Sequence, residues 1–246
     1  MSDTASTSTR TALIFGGSRG IGAAIARRLA EDGLQVGLTY VSRPHKADDV
    51  VASIEASGGT AFAIRADSAD PVAIRDAVQQ TVDRFGGLDV AVVNAGVLRH
   101  APIETFSLGD LDLTLAVNIR GVFLAIQAAA GAMRDGGRII TIGSNTAIRT
   151  GFAGGSVYAM SKAAVAAMVK GAALDLAPRG ITVNNIQPGP TETDMTADLI
   201  GGITDLVPLK RVGQPQEIAA LASYVAGLEA GYMTGASLTI DGGFVL

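Results

Sequence analysis

The chain has 246 residues, 48% hydrophobic and 17% charged, against about 25% charged in an average domain. That is enough apolar material for one sizeable core, and it excludes a mostly disordered chain. With 19 Lys and Arg against 23 Asp and Glu the formal charge is −4, so no basic surplus points to nucleic acid, and the absence of cysteine excludes disulfides and thiolate chemistry.

The first ten residues are small and polar, without the apolar segment of a secretory signal. They are expected to be a disordered tail (1–10), followed by one domain over 11–246. Seven segments, most of them short, nearly continuous apolar runs, read as strands: Ala12–Phe15, Gln35–Val41, Thr60–Ala66, Leu88–Val93, Arg138–Ile142, Ile181–Ile186 and Ser237–Ile240. Helical patterns lie between them at about 20–32, 46–57, 70–85, 110–134, 157–177 and 215–228. Such alternation predicts an α/β fold, a Rossmann-like doubly wound seven-stranded parallel sheet with helices on both faces. No window holds the ~20 uninterrupted apolar residues of a membrane span, so the expectation is a cytoplasmic protein without a membrane partner.

Ligands of such sheets bind beyond the carboxyl ends of the strands. The first strand runs into Gly16-Gly17-Ser18-Arg19-Gly20-Ile21-Gly22 and then a helix. Glycines allow a sharp turn and close approach to a diphosphate, and the helix start offers free N–H groups. The spacing is GxxxGxG; packing alone can also produce such a turn. In dinucleotide folds an acid about 20 positions on holds the ribose 2′-hydroxyl. Here the second strand ends Tyr40-Val41-Ser42-Arg43, with no acid between Gly33 and Ala47. Arg19 and Arg43 with Ser42 suit a 2′-phosphate instead; the alternative is two solvated loop arginines. After the third strand come Asp67 and Ser68. Asp67 is a candidate acceptor for an adenine amino group or a helix cap, a role Asp70 before Pro71 fits better. The fourth strand ends in Asn94-Ala95-Gly96, small enough for a flat cofactor to lie against the backbone.

Tyr158 and Lys162 stand four apart on one helical face. A nearby ammonium, reinforced by a cationic nicotinamide, would favour phenolate and lower the phenol's pKa, which would let Tyr158 exchange a proton with a carbinol oxygen; a surface pair is the alternative. Ser144 follows the fifth strand, as a turn residue or as a donor to a substrate carbonyl. Asn118 interrupts a helical stretch where asparagine is mildly unfavourable; its side chain could bind backbone and hold a water.

In their order, the loop 16–22, Asn94-Ala95-Gly96, Asn118, Ser144, Tyr158 with Lys162, Pro188-Gly189, Thr234-Gly235 and Asp241-Gly242-Gly243 resemble the short-chain dehydrogenase/reductase family over residues 11–243. The resemblance implies an NADP(H)-dependent carbonyl reductase or alcohol dehydrogenase acting on a ketone or secondary alcohol. It implies an Asn118–Ser144–Tyr158–Lys162 tetrad. In it Tyr158 is the general acid/base, Ser144 positions the carbonyl, Lys162 holds the nicotinamide ribose, and Asn118 anchors a water. Pro188, Gly189, Thr191 and Thr193 would touch the nicotinamide carboxamide and diphosphate. The segment Glu192–Arg211 matches a variable substrate lid, apolar through Met195, Leu199, Ile200 and Leu206, with Gly201-Gly202 as a hinge. It also implies a homo-oligomer, a tetramer, consistent with the alanine- and glycine-rich segments 110–134 and 157–177.

Two positions depart from the family pattern. Phe15 stands for the threonine that opens the glycine motif, and Val93 for the first asparagine of NNAG. The first removes a hydrogen bond to the strand-four loop; neither removes a reacting group. His45 and His100 have no metal-ligand spacing, and neither GxSxG nor a P-loop occurs. The chain is also similar, in its glycine loop and Val-Val-Asn-Ala-Gly segment, to a subgroup of cyclic-di-GMP-binding regulators. A nucleotide-binding regulator on the same fold is therefore the alternative reading, against which the intact tetrad weighs.

Overall fold

Every residue of β1 (Thr11–Phe15) is buried, which is possible only if both faces of its sheet are covered. Ala12 and Ile14 belong to one core and Leu13 and Phe15 to the other, the period-2 alternation of a strand. The computed structural model describes residues 9–196 and 200–246. Around β1 it places β2 (Gln35–Tyr40), β3 (Ala61–Arg65), β4 (Val90–Val93), β5 (Arg138–Ile142), β6 (Thr182–Pro188) and β7 (Ser237–Ile240). The order is β3-β2-β1-β4-β5-β6-β7 and every pairing is parallel. All seven expected strands are present, and the expected Rossmann-like fold is the fold observed. The order reverses between β1 and β4, the crevice where ligands of such sheets bind.

On one face lie α1 (Gly20–Glu31), α2 (Pro44–Ala56) and α8 (Pro215–Ala226); on the other lie α3 (Pro71–Phe85), α5 (Val122–Ala132) and α6 (Ser156–Leu176). Before α5 run α4 (Leu108–Leu115) and a π-helical segment Ala116–Gly121; α7 (Ile200–Ile203) precedes a 3₁₀ turn Thr204–Leu206. Helix α2 starts at Pro44, two residues earlier than the pattern suggests, because proline at the first helical position is pre-set for it. The long stretch expected at 110–134 is one α–π–α run, the extra residue per turn falling where Asn118 sits. The short turns at 200–206 have no periodic signal and are not anticipated.

Among the described residues two stretches, Leu108–Ala132 and Ser156–Arg179, are long and apolar enough to cross a bilayer by length and composition. Here they form the layer over the sheet, with Val122, Ile126, Val165 and Val169 packed against Leu13, Ile139 and Val183. The expected tail overlaps the fold by one residue. Arg10 donates to the Ala226 carbonyl at 2.8 Å, a cation at a helix C-terminus, and its own carbonyl accepts from Gln35 N–H at 2.9 Å. Residues 1–8 of that tail lie outside the described residues.

Candidate active site and cofactor cleft

The glycine loop closes on the loop that follows β4. Gly16 has φ +75°, and a Cβ there would lie 2.9 Å from Ala95 Cα, so glycine is required for both turn and contact. At Gly22 a Cβ would run into the Gly16 carbonyl oxygen and the Asn94 amide. Asn94 Nδ2 donates to that carbonyl at 2.7 Å, and Gly16 N–H donates to Thr39 Oγ1 at 2.9 Å. The family departure at Phe15 costs the loop little. The Phe15 carbonyl accepts from the N–H groups of Asn94 and Ala95 at 3.1 and 2.9 Å, and the ring fills the core at 1% exposure.

Helix α1 begins after an extended Arg19 and has no side-chain cap. Its first N–H groups therefore face the crevice with the positive end of the helix dipole. By contrast, Asp70 caps α3 through Val72 N–H at 2.8 Å, and Asp67 closes its own turn through Ala69 N–H at 2.8 Å. Asp67 is exposed, and its second oxygen remains available to a ligand. Ser68 sits against the end of the π-helical segment, since a Cβ at Gly121 would strike its carbonyl. Tyr40 ends β2 and packs on the α1-side core, leaving Ser42 and Arg43 exposed beyond it.

Across the crevice, Pro188 ends β6 and Gly189 N–H donates to the Ile240 carbonyl at 2.9 Å. Thr191 Oγ1 donates to the Gly189 carbonyl at 2.9 Å. Thr193 lies over the glycine loop, its Cγ2 3.3 Å from where a Cβ on Gly20 would be. In the lid, Met195 and Leu206 are 44% and 64% exposed; Leu199 lies outside the described residues.

The four tetrad residues come together at the carboxyl end of β4 and β5. Asn118 is 1% exposed. Its Oδ1 accepts from Val97 N–H and its Nδ2 donates to the Val97 carbonyl, both at 2.9 Å; Nδ2 also donates to Ser161 Oγ at 3.1 Å. Ser161 in turn donates to the Tyr158 carbonyl at 2.7 Å. Lys162 Nζ donates to the Ile142 carbonyl at 2.9 Å and lies 5.6 Å from the Tyr158 ring centroid. Gly96 faces both, since a Cβ there would be 3.4 Å from Asn118 Oδ1 and 3.6 Å from Lys162 Nζ. Ser144 Oγ accepts from Thr146 N–H and Oγ1 at 3.2 and 2.9 Å, which leaves its own proton to be donated to the Tyr158 oxygen.

Burial dominates the electrostatics. It pushes the Tyr158 phenol up to about 12, against a smaller lowering by hydrogen bonding to Ser144. It pulls the Lys162 ammonium down to about 8. In the protein alone the expected lowering by the ammonium is not seen: desolvation of the anion is the largest cause of the shift, and Nζ is committed to the Ile142 carbonyl. The phenol is a proton donor at neutral pH.

Sequence reasoning passes over Ser161, Thr146 and Thr39, all small polar residues without a spacing signal. It also underrates His100, whose Nε2 lies 2.6 Å from the Ala153 carbonyl and whose ring is 5.5 Å from that of Phe152. His100 thereby ties the loop after β4 to the loop before α6.

A crevice with an uncapped helix start, a glycine cradle and a Tyr–Lys–Ser–Asn cluster is the architecture of a dinucleotide-linked oxidoreductase. The chain belongs to the short-chain dehydrogenase/reductase family; a family profile described as enoyl-(acyl carrier protein) reductase matches residues 16–245. It is 42% identical to the cyclic-di-GMP-binding biofilm dispersal mediator protein of Escherichia coli K12, over 96% of this chain and 97% of that one. It is 39% identical to a 3-oxoacyl-[acyl-carrier-protein] reductase of Synechocystis, over 96% and 97%. A short-chain dehydrogenase of Burkholderia cenocepacia J2315, solved in complex with NADP, superimposes with a TM-score of 0.94 at 48% identity, covering 96% and 98% of the two chains.

Proposed function

We propose that this protein is an NADP(H)-dependent oxidoreductase that interconverts a ketone and a secondary alcohol. The observation that carries the reading is the convergence of Asn118, Ser144, Tyr158 and Lys162 beside Gly96 at the mouth of the crevice. The cofactor assignment is supported by the NADP complex of the Burkholderia relative and by the fit of the residues here. Gly16 and Gly22 are held to glycine by contact with Ala95, Asn94 and the Gly16 carbonyl, which keeps the loop backbone free of side chains at the start of α1, and Arg19 and Arg43 stand together at its outer end. Bound NADP(H) would supply the hydride.

The backbone of Ser18, Arg19, Gly20 and Ile21 at the start of α1 would hold the diphosphate, with Thr191 and Thr193 closing from the other side. Asp67 and Ser68 would meet the adenine, and Asn94, Ala95 and Gly96 would lie under the cofactor. Lys162 would hold the nicotinamide ribose. Ser144, whose proton is not taken by Thr146 and points toward Tyr158, would donate it to the substrate carbonyl and polarise it. Tyr158, protonated at neutral pH, delivers its proton to the carbonyl oxygen in the reductive direction and is refilled through Lys162 and a water at Asn118.

Exposed Leu108, Phe123, Met160 and Leu174 on the α4–α6 layer support a homo-oligomer, a tetramer, that would cover them. The reading places the protein in the cytoplasm, with neither nucleic acid nor membrane as partner. NADPH oxidation against a panel of ketones, β-keto esters and quinones tests it; no turnover with any of them opposes it. The second reading, a cyclic-di-GMP-type binder, rests on the Escherichia coli relative. Calorimetric titration with cyclic-di-GMP tests that reading.

A further inference from the structure

One carboxylate stands between the two arginines of the cofactor cleft. Asp194 Oδ2 lies 3.8 Å from Arg19 Nη1 and 3.5 Å from Arg43 Nη1. Three distant segments thus meet: the glycine loop, the turn between β2 and α2, and the start of the lid after β6. All three side chains are about half exposed, at 51%, 52% and 59%. A cleft of about 280 Å³ lined by Ser18, Arg19, Gly20, Lys46, Asp49 and Asp194 opens beside them, so an anion reaches the pair from solvent. Two guanidiniums against one carboxylate leave one positive charge over.

We propose that Asp194 is a specificity-determining residue, an internal counter-ion that a ribose 2′-phosphate must displace from Arg19 and Arg43. The inference rests on the cofactor reading above. A phosphate monoester carries about −1.5 to −2 charges and three acceptor oxygens, whereas Asp194 offers one charge and reaches both cations through a single oxygen. The phosphate therefore prevails, but its gain is reduced by the pairs it replaces. A cofactor with a free 2′-hydroxyl leaves those pairs intact and is indifferent to Asp194. Asp194 thus lowers affinity for NADPH specifically and narrows its advantage over NADH.

Isothermal titration of NADPH and NADH into the wild type, Asp194→Asn and Asp49→Asn tests this. Asp49 lines the same cleft, and its substitution makes the same change of net charge without touching the Arg19–Asp194–Arg43 cluster. Asp194→Asn should bind NADPH about 3- to 10-fold more tightly, the scale of two exposed ion pairs. NADH should be unaffected, and the gain should shrink at high salt. Asp194→Ser, with melting curves for each variant, separates a charge effect from a folding defect. Unchanged or weaker NADPH binding in both Asp194 variants, equal tightening of both cofactors, or the same gain in Asp49→Asn overturns the inference while leaving the cofactor reading intact. A wild type that binds NADH as well as NADPH overturns the cofactor reading itself.

Discussion

Asn118 and Val97 are joined by two reciprocal hydrogen bonds of 2.9 Å, amide to backbone in both directions. The π-helical segment Ala116–Gly121 carries this amide beneath the loop that follows β4, so one side chain fixes Val97 and, through Ser161, the first turn of α6. Asn118→Leu keeps much of the volume but leaves the Val97 N–H and carbonyl unpaired. The expected cost is about 2–4 kcal/mol of stability, read as a shift of the urea midpoint. Turnover should fall along with it, because both sides of the site are anchored there.

Tyr158→Phe removes the proton donor and keeps the ring. The expected outcome is a folded protein with unchanged NADPH affinity and kcat lower by at least ~10². Near-normal turnover would mean that another group supplies the proton.

Lys162 is a buried cation whose charge is held by a carbonyl rather than a carboxylate. Its pKa of about 8 lies below the free-lysine value of 10.5, so the ammonium is lost as pH rises through about 8. The reductive kcat/KM should be level below that point and decline above it, while Tyr158, at about 12, stays protonated throughout. The linkage has the matching sign. Between about pH 8 and 10.5 the unfolded chain binds the extra proton, so this group makes folding more favourable as pH rises across that window. Lys162→Met should therefore abolish turnover yet raise the melting temperature at pH 7, by a few degrees for about 1 kcal/mol.

The arginine pair should set cofactor choice. Wild type is expected to favour NADPH over NADH by about 10- to 1000-fold in kcat/KM, a few kcal/mol at ~1.4 kcal/mol per decade. Arg19→Ala with Arg43→Ala should close that gap, mainly by weakening NADPH. An unchanged ratio in the double variant would remove both residues from the cofactor site.

Assembly is checked by light scattering at micromolar concentration. One chain has a mass of 24.9 kDa, and a particle of four chains is expected. A monomer would leave Phe123 and Leu174, 51% and 78% exposed, open to water on the apolar layer.

The sequence by itself determined what is local and periodic. Apolar runs marked most strands, such as β1 and β4, because a strand buried on both faces admits few polar residues. The four-residue step from Tyr158 to Lys162 put two reactive groups on one helical face, because the α-helix repeats every 3.6 residues. The glycines at 16, 20 and 22 marked the loop, because Gly16 and Gly20 have positive φ and Gly22 packs directly on the Gly16 carbonyl. Only the tertiary structure decided what depends on approach across the chain. Asp194 is 175 residues from Arg19 and 151 from Arg43, and no spacing rule links an acid in the lid to arginines in two earlier loops. Ser161, His100 and Thr39 gain their roles from neighbours the sheet order brings to them. The Tyr158 phenol is raised because the folded surroundings bury it, and burial is not legible in a four-residue spacing.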